Sequence, residues 1–412
     1  MVMNDEDVRL FFLRRGGTAR TFGLIMGAAC VIVIATAVAV ISRYPRTLII
    51  ADSGLSNAAG TADENKVLSS NASGGNPLAD PSTPRTPIDA AAYDQKLLAI
   101  AHIPPAPAAT STTSSSAMGN VAPIEFPPYA VAPGRTALAR LWPVKAPYPT
   151  AGALLPFKRI VAYYGNLYSK QMGVLGEYPP DQMLAMLAST TAEWAAADPS
   201  TPVVPALDYI VVTAQASAGK DGKYRARMPD DQTDQIVQMA DRINGIVVLD
   251  VQVGLSNVET EVPLLEQYLK MPNVELALDP EFDMHNGERP GTVIGTMDAS
   301  DINWAAHYLA DLVQQNDLPP KILIVHRFTQ DMVTNTDKIT PLPEVQIVMD
   351  MDGFGVPAKK IGTYYNSIEP YPVQFTGFKL FYKNDANASG SHMMAPAEVL
   401  RLSPQPSFIQ YQ

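Results

Sequence analysis

Residues 230–251 read DDQTDQIVQMADRINGIVVLDV, an amphipathic segment followed directly by a short apolar run. The first aspartate is placed to cap a helix that puts Ile236 and Ala240 on one face, and Gly245 ends that helix. The run 246–251 is apolar on both faces, as a strand of a parallel sheet covered by helices must be. The stretch therefore predicts one helix–strand unit.

The same alternation recurs from residue 157 to the end of the chain. The predicted strands are 159–164, 206–213, 246–251, 274–278, 321–325, 345–349, 375–381 and 407–411. The predicted helices are 181–197, 230–244, 258–270, 300–316, 330–337, 357–368 and 395–402. Eight strands alternating with helices over a domain of this size predict an α/β fold, a (β/α)8 barrel spanning 157–412. If 407–411 is not the closing strand, a doubly wound open sheet is the alternative.

Residues 22–41 form an uncharged apolar run, long enough as a helix to cross a bilayer. Four arginines precede this run within 21 residues, whereas two follow it closely. This bias predicts a single-pass cell-membrane protein with tail 1–21 in the cytoplasm and the barrel outside. A cleaved signal peptide that uses Ala35 and Ala37 is the alternative.

Residues 42–156 show no sustained helical or strand period and are rich in proline, serine and alanine. We therefore expect a flexible linker, interrupted by a short helix at 89–101. The net charge of −11, with no basic stripe, argues against nucleic acid as a partner. Cys30 is the only cysteine of the chain, so an internal disulfide and a cysteine metal site are excluded.

Functional groups of such barrels gather where the strands end. A carbohydrate site is favoured here, because acidic residues alternate with aromatic ones at these positions, and acids catalyse glycoside hydrolysis. The sequence shows no metal-binding histidine motif, nucleophile elbow or phosphate loop, so no metal and no cofactor is predicted. The predicted substrate-binding residues are Tyr163, Tyr164, Asp250, Gln252, His326, Arg327, Asp352, Tyr382 and Tyr411.

The segment 275–284, ELALDPEFDM, carries the predicted catalytic pair Asp279 and Glu281. Residues two apart in an extended segment point the same way, so the two carboxyl groups can share one pocket. Two close carboxylates do not easily both ionise, which raises one pKa and leaves a proton to donate. The structural alternative is that such acids cap a helix or hold a loop. For His326, the alternative is a hydrogen bond to an aspartate.

This strand-four D-x-E, together with Asp350 near the end of strand six, resembles the barrels of family 25 glycoside hydrolases, the muramidases. The resemblance implies Glu281 as the acid, Asp279 as its partner and Asp350 as a further catalytic group. The family's aspartate at the end of strand one is replaced here by Tyr163 and Tyr164. The chain also resembles uncharacterised bacterial surface proteins with barrel domains.

Two functions follow as the main hypotheses. One is a membrane-anchored extracytoplasmic glycosidase-like hydrolase acting on cell-wall or surface polysaccharide. The other is a non-catalytic surface barrel that binds glycan or a partner protein. Other hydrolases are the remaining alternative, including metal-dependent ones built from Asp250, Asp279, Glu281, His326 and Asp350. A hydrolase is expected to show an open cleft with Glu281 and another carboxylate roughly 5–9.5 Å apart across it. A binding barrel is expected to show Glu281 paired with Arg327 or Lys379, or a pocket filled by the long loops.

Overall fold

A computed structural model describes residues 76–103, 141–387 and 391–412 of the chain. The predicted cytoplasmic tail 1–21 and membrane helix 22–41 lie outside these residues. Within the described part of the chain, no helix is both long and apolar enough to span a bilayer.

Eight parallel strands form a closed barrel. Each strand pairs with its neighbours in chain order, and the first strand also pairs with the last. Ile160 of the first strand lies opposite Phe408 on one side and Val204 on the other. This closure confirms the (β/α)8 prediction and excludes the open sheet. The strands are β1 (Arg159–Gly165), β2 (Val203–Ala214), β3 (Ile246–Val251), β4 (Val274–Leu278), β5 (Lys321–Arg327), β6 (Val345–Met351), β7 (Phe375–Leu380) and β8 (Phe408–Tyr411).

Five helices of the described chain are longer than eight residues. They are α1 (Ala90–Ile100), α2 (Pro180–Ala197), α3 (Asp230–Asp241), α4 (Ala299–Asn316) and α5 (Pro357–Ser367). The opening prediction for α3 is confirmed in outline, because Ile236 and Ala240 are buried on one face. Its cap differs from the prediction, since Pro229 occupies the capping position and Asp230 is already helical.

Three of the predicted helices differ in the structure. The segment 258–270 divides into short helical pieces, with a 3-10 turn at Val262–Leu265 that contains a proline near its start. The segment 330–337 is not a helix: 3-10 turns flank a strand, Val333–Thr334, which pairs with Met297–Asp298. The last helix is reduced to Pro396–Val399.

The barrel interior is divided into an apolar part and a polar part. Residues alternate along each strand, so every second side chain faces the barrel axis. The lower, amino-terminal part of the interior is apolar, and the upper, carboxyl-terminal part is polar. The apolar cluster contains Ile160, Ala162, Val204, Ala206, Ile246, Val248, Ala277, Ile322, Ile324, Val348, Phe375 and Phe408.

Residues 76–103 and 141–158, here called the N-terminal arm, pack on the amino-terminal end of the barrel. Tyr93 of α1 and Leu155 are 3% and 0% exposed and belong to the apolar interior cluster. The Gln346 side chain accepts from the Leu155 N–H and donates to its carbonyl, at 3.1 and 2.7 Å. At the start of the arm, Asn76 donates to the Gly245 carbonyl at 2.8 Å.

These contacts correct the predicted linker 42–156 for residues 76–103 and 141–156, which are ordered parts of the barrel domain. The helix expected at 89–101 is confirmed, and the Asp89 side chain caps it. The linker prediction depended on the average composition of the whole segment 42–156, which hides short pieces that contain anchoring residues. A few apolar residues spaced among the prolines are enough to hold each piece against a large apolar surface.

Candidate functional site

Inward-facing polar side chains from all eight strands meet in the upper part of the barrel. We call them the polar interior: Tyr164, Asp208, Asp250, Asp279, His326, Asp350, Lys379 and Gln410, each at most 4% exposed. Isolated buried charges cost much free energy unless they are paired or neutralised. The hydrogen bonds and ion pairs among these side chains therefore determine which chemistry the polar interior can perform.

His326 lies at the centre and contacts two carboxylates. Its Nε2 is 3.0 Å from Asp250 Oδ2, and its Nδ1 is 3.1 Å from Asp350 Oδ2. Burial acts to lower the pKa of His326, but the hydrogen bonds to Asp250 and Asp350 outweigh burial and hold that pKa well above its ordinary value. His326 is therefore an imidazolium that donates to both aspartates. The alternative given for His326, a hydrogen bond to an aspartate, is confirmed, and two aspartates take part.

The Asp350 side chain fits beside His326 because the residue opposite it on β7 is a glycine. The β6–β7 register places Gly377 opposite Asp350. A Cβ added at Gly377 would lie 2.4 Å from Asp350 Oδ1, a distance that real Cβ atoms do not reach. Gly377 therefore makes the space in which the Asp350 carboxylate reaches His326.

Asp208 lies deeper, beside Gln410 and Asp250. Burial, and then the charge of Asp250, raise the pKa of Asp208 to about 8, so the group keeps its proton at neutral pH. The Gln410 amide donates to its Oδ2. The Oδ1 atoms of Asp208, Asp250 and Asp350 are buried and have no hydrogen-bond partner among the described residues.

Hydrogen bonds through Gln252 and Asp279 link the buried Tyr164 to the turn that carries Glu281. Gln252 accepts from the Ala214 N–H at 3.0 Å and donates to Tyr164 Oη at 3.2 Å and to Asp279 Oδ2 at 3.1 Å. Asp279 Oδ1 accepts from the Glu281 N–H at 3.1 Å and so caps the 3-10 turn Pro280–Phe282. Burial and then Asp250 raise the pKa of Asp279 well above its ordinary value. Asp279 is thus a residue that positions Glu281.

Glu281 lies on that turn, half-buried at the mouth of the barrel. No described residue forms a hydrogen bond or an ion pair with its carboxyl group. Burial, and then the charge of Asp352, raise its pKa to about 7, against the opposing effect of Lys379 and His326. At neutral pH a large fraction of the Glu281 carboxyl groups therefore carries a transferable proton.

Asp352 and Lys379 lie on the other side of the mouth. The Lys379 Nζ is 3.6 Å from Asp352 Oδ1 and 3.7 Å from the centroid of the Tyr164 ring. Burial acts to lower the pKa of Lys379, but Asp352 and the other carboxylates outweigh it and raise that pKa. Lys379 is consequently an ammonium ion and is not set up as an amine nucleophile.

Three predicted substrate-binding residues do not reach the site. Tyr163 faces outwards and bonds Thr190 of α2 at 2.7 Å, and Tyr411 accepts from Trp194 of the same helix at 2.9 Å. Arg327 also points outwards and donates to the carbonyls of its own loop. Strand pleating puts these residues on the face opposite to Tyr164, His326 and Gln410. Tyr382 is 37% exposed and contacts the outward-facing Tyr163 and Tyr411, so it does not reach the polar interior either.

The structure adds Asp208 and Gln410, which the sequence interpretation left out of the site, and Lys379, which the sequence interpretation considered only as a possible partner of Glu281. Each is a lone polar residue at an inward position of a strand that is otherwise buried. That pattern is the sequence signal for them, since a buried strand tolerates such a residue only if it finds a partner.

Cavities and metal-like clusters do not coincide with this site. Clefts of about 450 and 320 Å³ lie at the amino-terminal end of the barrel, beside the arm. Among the residues that the structure describes, no group of three or more His, Cys, Asp or Glu side chains is arranged to hold a metal ion. The side chains of the polar interior are at most 4% exposed, whereas Glu281 at the mouth is half-buried.

No protein-family model and no curated protein matches the chain. A solved structure named "Cellulase Cel5C_n" is similar over 62% of this chain and 75% of that one, with 11% identity and a TM-score of 0.35. This is a weak structural likeness, and the barrel assignment follows from the strand pairing alone. The resemblance to family 25 muramidases is not confirmed by these comparisons.

Proposed function

We propose that the carboxyl-terminal mouth of the barrel is the active site of a glycosidase-like hydrolase, with Glu281 as the proton donor. The observation that supports this proposal is the state of Glu281. Its carboxyl group meets solvent, has no bond to a described residue and has a pKa of about 7. A general acid works best when its pKa lies near the pH at which the enzyme operates.

The second carboxylate of the proposed mechanism is Asp352. Asp350, the residue implied by the muramidase resemblance, is fully buried and committed to His326. Asp352 is 8% exposed and close enough to Glu281 to raise its pKa. In this mechanism Glu281 protonates the leaving glycosidic oxygen, while Asp352 acts as nucleophile or activates water, depending on the separation of the two groups.

The substrate proposed is a cell-wall or surface polysaccharide. This part of the proposal depends on the apolar run 22–41, which predicts that the barrel is anchored on the outer side of a membrane.

The test compares the full-length chain with Glu281→Gln on a panel of cell-wall and surface glycans, with reducing ends as the readout. Glu193→Gln, an exposed residue of α2, is the matched control. Positioned acid catalysis contributes roughly 10²–10⁴-fold, so Glu281→Gln should lose at least about 100-fold with an unchanged melting temperature. Equal rates for wild type and Glu281→Gln would contradict the proposed role.

The non-catalytic barrel is the second candidate, and one observation favours it. Asp250, Asp279 and Asp350 are 2% exposed or less, and both ring nitrogens of His326 are already bonded to carboxylates. Bonds of this kind can serve stability alone. Glycan binding by the wild-type chain without any turnover across the panel would support this candidate.

A further inference from the structure

The Lys379 ammonium group is almost fully buried, yet it has no hydrogen-bond acceptor among the described residues. An ammonium group carries three donors. The shortest contact of Nζ to a carboxylate is the 3.6 Å to Asp352, which is beyond hydrogen-bond distance, and the side chain is only 3% exposed. Leaving a buried charged donor unsatisfied is costly. Nζ itself is not among the fully buried polar atoms that lack a partner, so it reaches solvent, and an oxygen from outside the described chain can accept from it.

The neighbours of the ammonium group indicate where that oxygen lies. The face of Tyr164 covers one side of Nζ, and Tyr164 is itself held by Gln252. On the other side, Lys379 is close enough to Glu281 to lower the pKa of that residue. The ammonium group and the carboxyl group that carries the proposed proton are therefore neighbours at the mouth.

We propose that Lys379 is a substrate-binding residue that donates hydrogen bonds to hydroxyl or carbonyl oxygens of a neutral sugar unit placed beside Glu281. This inference rests on the proposed hydrolase function and adds a substrate class to it. Neutral sugars are favoured over anionic ones by charge. The carboxyl groups of Asp250, Asp279, Asp350 and Asp352 surround the same ammonium, so no net positive charge remains to attract a uronate or phosphate.

A purely structural role for Lys379 makes a different prediction. If Lys379 only holds Asp352 and Tyr164 in place, replacing it should change the melting temperature and leave ligand affinity unchanged. Binding and stability must therefore be measured on the same variants.

The experiment uses the full chain carrying Glu281→Gln, so that binding is measured without turnover. Titration calorimetry with a neutral N-acetylglucosamine hexamer, a cellulose hexamer and an anionic galacturonate trimer compares this background with added Lys379→Met. Lys383→Met is the matched control, because Lys383 follows β7 four positions after Lys379 and its side chain is 63% exposed. Lys379→Gln, which keeps two amide donors without the charge, serves if the methionine variant unfolds.

We expect Lys379→Met to weaken binding of the preferred neutral hexamer roughly 10- to 100-fold, as loss of a charged hydrogen bond implies, and Lys379→Gln to weaken it less. Lys383→Met should bind as the background does. Unchanged affinity in Lys379→Met and Lys379→Gln, or tighter binding of the galacturonate trimer than of either hexamer, would overturn the inference while leaving a hydrolase with Glu281 as its acid intact. Absence of both hydrolysis by wild type and binding of any of the three probes would overturn the proposed function together with it.

Discussion

Replacing Tyr93 by alanine tests whether the N-terminal arm is part of the barrel domain. Tyr93 is 3% exposed, and its ring meets Tyr148 and Phe157 edge-on at centroid distances of 5.6 and 6.1 Å. Truncating a buried aromatic residue to alanine costs about 3–5 kcal/mol. For a domain of this size that loss lowers the melting temperature by roughly 6–20 °C.

The assay is thermal and urea unfolding of the full chain, followed by circular dichroism. Gln95→Ala in the same helix is the control, because Gln95 is exposed and its replacement should change stability by less than about 0.5 kcal/mol. A flexible linker would make the two variants indistinguishable. If Tyr93→Ala unfolds within about 1 kcal/mol of Gln95→Ala, the arm does not contribute to the stability of the barrel and the linker interpretation holds for it.

Two further predictions concern the polar interior. Asp208→Asn should raise the melting temperature at pH 7 and have little effect near pH 4. Folding raises the pKa of Asp208 from 3.8 to about 8. The contribution of Asp208 to the stability of the wild type is therefore fully present below about pH 4 and is lost as pH rises through 8. A gain that is the same at both pH values would contradict the burial of a protonated Asp208. Gly377→Ala should lower the free energy of unfolding by about 1–3 kcal/mol, because the new Cβ would strike the Asp350 carboxylate. Gly362→Ala, where an added Cβ meets nothing within 4 Å, should be neutral or stabilising, and equal effects of the two changes would refute the steric explanation.

The sequence was sufficient to predict the barrel. All eight strands were placed correctly, and β3 and β4 coincide with their predicted bounds. The reason is physical: strands buried on both faces must be short apolar runs, and helices between them must be amphipathic. The arm was missed because its few anchoring residues, such as Tyr93 and Leu155, do not form a periodic pattern.

The site could be predicted only in part, because the sequence does not state which face of a strand points inwards. Tyr163 and Tyr164 were both expected to bind substrate, yet the pleat allows only Tyr164 to reach the interior. Gly377 and Ala162 are small residues at inward positions, so small residues within these strands lie on the interior face. The pairing of His326 with two aspartates depends on contacts between strands that are far apart in sequence, and a local sequence pattern cannot predict such contacts.

The most direct test of the central claim is a pH titration of the Glu281 carboxyl group. It can be followed by ¹³C NMR on glutamate-labelled full-length chain, with Glu281→Gln to identify the resonance. The proposed role as proton donor predicts a midpoint near pH 7, because burial and Asp352 disfavour the charged form. A midpoint near the ordinary value of 4.5 would mean that Glu281 is ionised at neutral pH, which would contradict its role as the acid.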